Sequence, residues 1–194
     1  MGLRLIAPPT AEPISLSEAK AHLRVDSDAE DSLINSLILS ARQTAESYQS
    51  RALITQTWEL TLDEFPRCPF ELPLPPLQSV DEISYTDSTG ATHIVNPLDY
   101  IVDAFAFRGR VTHAYGKSWP SVILQPINGV KVTFTAGYGD TAADVPQMTR
   151  QAMLLLIGQW YENRSNISEQ TNLIMRELPH AVTALLRADQ VITL

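Results

Sequence analysis

The chain has 194 residues, 44% of them hydrophobic and 19% charged, and its 22 acidic and 14 basic side chains leave a formal net charge of −8. That length can bury about 70% of the unfolded surface without a disulfide or metal staple, and the composition is that of an ordinary soluble globular protein, with disorder expected only locally. Eleven acids against five bases fall between Ile54 and Val145; such a surplus argues against tight nucleic-acid binding, whose affinity comes mostly from cations on phosphates. The lone cysteine, Cys68, excludes an intramolecular disulfide, and the opening MGLRLIAPPT lacks the basic lead and long apolar run of a secretory signal. The expectation is a protein that folds in a cytosol.

In chain order, Met1–Pro13 reads as an extended lead whose Leu3, Leu5 and Ile6 suit a short strand or a cover for the core. Ser15-Leu16-Ser17-Glu18 has the spacing of a capping box and predicts a helix to about Leu23. Leu33, Ile34, Leu37, Ile38, Ala41, Ala45 and Tyr48 form one stripe and predict a long helix from about Ala29 to Gln49. From Ile54 the period changes to two, with Trp58, Leu60 and Leu62 opposed to Glu59, Thr61 and Asp63, the mark of a half-buried strand. Further strands are expected at Phe70–Leu72, Ser79–Thr86, Thr92–Val95, Tyr100–Ala104, Arg110–Ala114 and Val130–Thr135, with a turn at Asp87–Gly90. The alternation of Val80, Ile83 and Tyr85 is uneven.

The stretch Val145–Arg164 is apolar on two adjoining helical faces, through Met148, Ala152, Leu155 and Leu156 and through Met153, Ile157, Trp160 and Tyr161. It must be buried, and its unbroken apolar block, Ala152–Ile157, is far short of the roughly eighteen residues needed to cross a bilayer. Pro146 fits its first turn and Asp144 is placed to cap it. Residues 165–177 are polar and weakly patterned. A last helix is expected from Pro179 to Ala188, followed by the apolar end Val191-Ile192-Thr193-Leu194. An uncovered apolar end marks either a docking element or a segment that folds back on its own core.

No catalytic, cofactor or metal site stands out. Asp26, Asp28, Glu30 and Asp31 resemble the front of a calcium loop, but Asp31 stands where glycine is needed and Leu37 where glutamate is needed. Gly116-Lys117-Ser118 lacks the first glycine and the helix of a phosphate loop, and Gly137 and Gly139 fit a strand-to-helix turn. His22, His93, His113 and His180 have no ligand spacing, and Asp63 and Glu64 leave their strand on opposite faces. Cys68 reads as a small apolar filler, and the sequons at Asn163 and Asn166 require a secretory route.

The pattern is α+β: a small helical bundle core of two long helices plus short ones, an inserted antiparallel β-rich portion, and a C-terminal helix and tail. The boundaries expected are 1–53 for the N-terminal helical part, 54–143 for the β-rich insertion, and 144–194 for the core helix, loop, C-terminal helix and tail. The segments SLSEAKAHLRVD, SRALITQTW, PPLQSV, TFTAGYGD and QWYENR, in that order along nearly the whole chain, resemble the head–tail connector (adaptor) proteins of tailed bacteriophages, the gp8-like and gp6-like connectors also found in prophages and gene transfer agents.

The resemblance implies a structural virion protein rather than an enzyme, without cofactor or metal. It implies a homo-oligomeric ring of twelve copies beneath the portal protein, extending the DNA channel and meeting a stopper or tail-completion protein. Double-stranded DNA would pass without specific binding, and no membrane is involved. The location implied is the virion neck, after assembly in the host cytoplasm. Leu178, Val182, Leu185, Leu186, Val191, Ile192 and Leu194 are the residues expected to dock on the portal. Gln159, Glu162 and Arg164 are those expected at contacts between subunits. The alternatives from other classes are a β-rich binding module and a small hydrolase acting on cell-wall or carbohydrate substrates.

Overall fold

A computed structural model describes residues 2–67, 69–163 and 178–191. The expectations at Cys68, Arg164, 165–177, Ile192 and Leu194 lie outside the described residues. The chain divides into two compact units, one formed by the lead up to Thr10 with Thr55–Tyr138, the other by Ala11–Ile54 with the chain from Gly139 on.

The first unit is β-rich. Its five-stranded antiparallel sheet has the order β1 (Gly2–Ala7), β2 (Gln56–Leu62), β8 (Val130–Ala136), β4 (Leu77–Thr86), β5 (Thr92–Ile94). A three-stranded sheet joins β3 (Phe70–Glu71), β7 (Arg110–His113) and β6 (Tyr100–Asp103). Register aligns Leu3, Leu60, Val132 and Ile83 across the larger sheet, and next to them Leu5, Trp58, Phe134 and Val80. Leu60, Val132, Ile83 and Phe134 are fully buried. The uneven alternation in β4 has a physical cause: the register shifts between Val80 and Glu82, so Asp81 is an extra residue that brings Val80 and Ile83 to one face.

Loops are fixed by aromatic contacts and by glycine. Phe65 stacks on Trp119 with centroids 5.5 Å apart, and the Trp119 indole donates to the Pro66 carbonyl at 3.2 Å. Asp87 Oδ1 accepts the backbone N–H groups of Thr89 and Ala91 and so closes the expected hairpin turn. At Gly109 the backbone passes so close to Leu77 that a Cβ there would lie 2.2 Å from Leu77 Cδ2.

The second unit is helical: α1 (Leu16–Leu23), α2 (Asp31–Gln49), α3 (Gln147–Glu162) and α4 (His180–Arg187). The two-faced apolar pattern of α3 is explained by its neighbours, since it packs on α1, α2 and α4 at once. Ala152, Met153, Leu156 and Ile157 are fully buried, as are Ile34, Ala41 and Ala45 of α2. Gly158 lets α3 approach α1; a Cβ there would lie 3.3 Å from His22 Nε2. The outward face of α2 satisfies its hydroxyls locally, Ser36, Ser40 and Thr44 each donating to the carbonyl four residues back.

Two capping expectations are corrected. Ser15 Oγ does accept the Glu18 N–H at 3.2 Å, but the Glu18 carboxylate turns to Arg150, whose Nη2 lies 2.8 Å from both its oxygens. A guanidinium offers a charged bidentate partner, which outweighs one backbone N–H. Likewise Asp144 does not cap α3; its Oδ2 accepts from the N–H and hydroxyl of Thr141, closing a short 3-10 turn that ends two residues before the helix. Pro146 is the N-cap residue of α3, one position ahead of the first turn expected for it.

Replacing Gly109 by alanine should destabilise the protein by about 1–3 kcal/mol through overpacking against Leu77. Urea denaturation would show this as a lowered midpoint, and a midpoint equal to wild type would mean the loop shifts freely.

Candidate functional site

The C-terminal stretch 178–191 is held on the end of α2. A helix C-terminus leaves its last carbonyls without intrahelical partners, and here they are taken up: Gln49 O accepts the Val191 N–H at 2.9 Å and Tyr48 O accepts Gln190 Nε2 at 3.1 Å. The Arg51 guanidinium adds a bond to the Asp189 carbonyl. Gln49 itself is fully buried, and its Nε2 donates to Thr149 Oγ1 and to the Leu186 carbonyl, both at 3.1 Å. One amide thus ties α2, α3 and α4 together.

The residues expected at a docking surface are divided by this arrangement. Val182 and Leu186 are fully buried and Val191 nearly so, their apolar surface already covered inside the helical unit. Leu178 and Leu185 are half-buried, and Leu178 lines an open groove of about 430 Å³ with Ser40, Gln43, Thr44, Ser47 and Tyr48 of α2. Of the residues expected between subunits, Gln159 is half-buried and Glu162 is exposed at the end of α3. The signal for the burial of Val182 and Leu186 was present in the sequence as their four-residue spacing opposite Gln49; what it lacked was the partner.

Polar chemistry elsewhere is engaged structurally. The Lys20 ammonium lies 2.6 Å from Asp28 and 2.8 Å from Asp31, so the acids that resemble a calcium loop are held by a cation of the chain, and Glu30 accepts the Tyr161 hydroxyl. Arg42 bridges Glu12 and Glu46, each at 2.8 Å. In the β-rich unit Arg4–Glu59, Arg108–Glu71, Arg110–Asp103 and Lys117–Asp99 are paired. His93 bonds Asp87 at 2.8 Å, and the hydroxyl of Thr89 together with His93 holds the Asp87 carboxyl well below the usual range. Among the described residues no group of three or more His, Cys, Asp or Glu could hold a metal ion. None of the described helices is long and apolar enough to cross a membrane.

Residues 13–90 match the family model of the phage gp6-like head–tail connector proteins. No curated protein matches the chain. Among solved structures, a chain in the neck of an empty gene transfer agent particle, computed with C6 symmetry, is similar with a TM-score of 0.81 at 24% identity, covering 100% of this chain and 97% of that one. A chain of the native gene transfer agent virion gives the same values. A chain in the native neck computed with C12 symmetry gives 0.74 at 25% identity, again covering 100% and 97%.

Two outcomes follow from the geometry of α4. Leu186→Ala should cost about 2–5 kcal/mol as a cavity in a packed core, whereas Leu185→Ser should change stability by less than about 1 kcal/mol; chemical denaturation of both variants checks the division. The Lys20 bond holds the Asp28 carboxyl below its ordinary range, so this contact stabilises the fold above a pH of about 4 and is lost as pH falls through the lowered value. Bonding to Asp28 and Asp31 raises Lys20, so on the alkaline side the contribution persists until pH passes that raised value. Asp28→Asn should therefore flatten the acid limb of a stability–pH curve and leave the neutral region nearly level; an unchanged acid limb would exclude the contact as a contributor.

The resemblance to the head–tail connectors is therefore shown on two counts, a match to that family's model over residues 13–90 and the fold of a virion neck protein over the whole chain.

Proposed function

We propose that this protein is a structural head–tail connector, which assembles as a ring in the neck of a phage-like particle and joins the capsid vertex to the tail components. The observation that carries this reading is the coincidence of the connector family match over residues 13–90 with a neck-protein fold over the full length. The role is mechanical and not enzymatic: the conspicuous charged side chains serve as struts within each unit, such as Arg150 on Glu18 and Arg42 between Glu12 and Glu46. Nothing in the comparisons favours a hydrolase or a carbohydrate-binding module.

The partners follow from that role. Twelve copies form the ring, in keeping with the C12 symmetry of the similar native neck. The portal protein lies on one side and a stopper or tail-completion protein on the other, and double-stranded DNA passes through the channel without specific binding. The acidic surplus suits a wall along which DNA slides, since like charge keeps phosphates from adhering. Portal docking belongs to the C-terminal segment, with Leu178 and Leu185 offering apolar surface at the groove beside α2, and Val182, Leu186 and Val191 holding that surface in place from beneath. The α3 end, with Gln159 and Glu162, meets a neighbouring subunit of the ring.

Electron microscopy of the protein alone and mixed with portal rings tests this. Rings of twelve copies of the 21.5 kDa chain should appear in at least one of the two samples. Leu178→Ser with Leu185→Ser should weaken portal binding at least tenfold while the thermal midpoint stays close to wild type. Protein that forms no ring in either sample would overturn the connector reading, and double-variant protein that joins the portal normally would move the docking site elsewhere.

A further inference from the structure

Among the described residues, twelve of the fifteen large hydrophobic side chains that remain exposed belong to the β-rich unit. Half of them, including Phe105 and Tyr115, stand on loops, where nothing specifies what would cover them. Strand β1 is different, because its uncovered side is backbone as well as side chain. Among the described residues it is the edge of the five-stranded sheet, pairing with β2 alone, so the groups on its other side have no described strand to bond. All six residues of β1 are exposed, with Leu3 and Leu5 at 41% and Ile6 at 47%.

Edges of this kind are normally defended by lysine, proline or an inward charge. Here the one charge, Arg4, is drawn onto the chain's own sheet by Glu59 at 3.0 Å, and prolines begin only at Pro8. A bulge at Ile6 leaves Gly2–Leu5 as a regular edge. Leu3 and Leu5 continue the rows that run through Leu60 and Val132 and through Trp58 and Phe134, so the buried face of the sheet is open at β1.

We propose that the free edge of β1 receives an extended strand from a neighbouring copy of this chain, extending the sheet across the boundary between subunits. This rests on the ring reading above. The occupant is a second copy because of topology: the sheet has a second open edge, β5, on its opposite side. A ring formed by head-to-tail contacts requires two different surfaces on each subunit, one for each neighbour. Strand addition supplies hydrogen bonds from the backbone and specificity from alternate side chains, and Leu3 and Leu5 are the alternate pair.

The test uses the full chain. Backbone amide exchange across Gly2–Ala7 is compared between unassembled protein and rings, formed alone or on portal, and a Leu3→Lys, Leu5→Lys double variant is assayed for ring formation. The β1 amides should slow at least tenfold on assembly, and the double variant should need at least tenfold more protein to form rings while keeping wild-type exchange in β2 and β8. Should the variant misfold, the exchange measurement on wild-type protein decides alone. Rings whose β1 amides exchange as in free protein would overturn the edge contact and leave the connector reading standing. Protection that arises only when a tail-side protein is added would overturn the choice of a second copy. Absence of rings in every sample would overturn both.

Discussion

The buried amide of Gln49 is the contact on which the helical unit depends. It stands at the last residue of α2 and reaches Thr149, a hundred positions further along the chain, and the Leu186 carbonyl beyond that. The unit is assembled from two stretches of sequence separated by the whole β-rich portion, so its closure costs the entropy of a long loop. Apolar burial between α2 and α3 offsets that cost but does not by itself fix which turn of one helix meets which turn of the other. A buried amide with defined partners does, since a slip by one turn would leave its donors unsatisfied at about 1–3 kcal/mol. The same residue's carbonyl holds Val191, so the anchoring of the C-terminal segment follows from the seating of the long helices.

Much of the fold is legible in the sequence. The long stripe from Leu33 to Tyr48 and the two-faced oiliness of Val145–Arg164 state which helices are buried, because burial and period are both written in side-chain type. The alternation Trp58, Leu60, Leu62 states a strand for the same reason. The prolines and glycines between runs placed the turns. The α+β class and the connector resemblance are both shown.

What was not legible depended on partners distant in sequence. The Glu18 carboxylate obeys a local capping rule in sequence and a long-range one in the structure, because Arg150 is invisible at a spacing of three residues. The disturbed period of β4 could be seen but not interpreted, since a bulge is defined only against its neighbouring strand, here β8. The tail posed the same difficulty. Val182, Leu186 and Val191 were visibly apolar, yet whether their cover comes from the chain itself or from another protein is decided by the carbonyls left open at the end of α2.

The pairing of Gln56 with Ala136 in the β2–β8 ladder has a further consequence. The β-rich portion leaves and rejoins the helical stretch through two strands that run side by side, so the chain ends of the insertion lie about 5 Å apart at that rung. A gap so narrow can be spanned by a tight turn. The β-rich portion is thus tied to the helical stretch at one narrow rung, although more than seventy residues of chain separate Gln56 from Ala136.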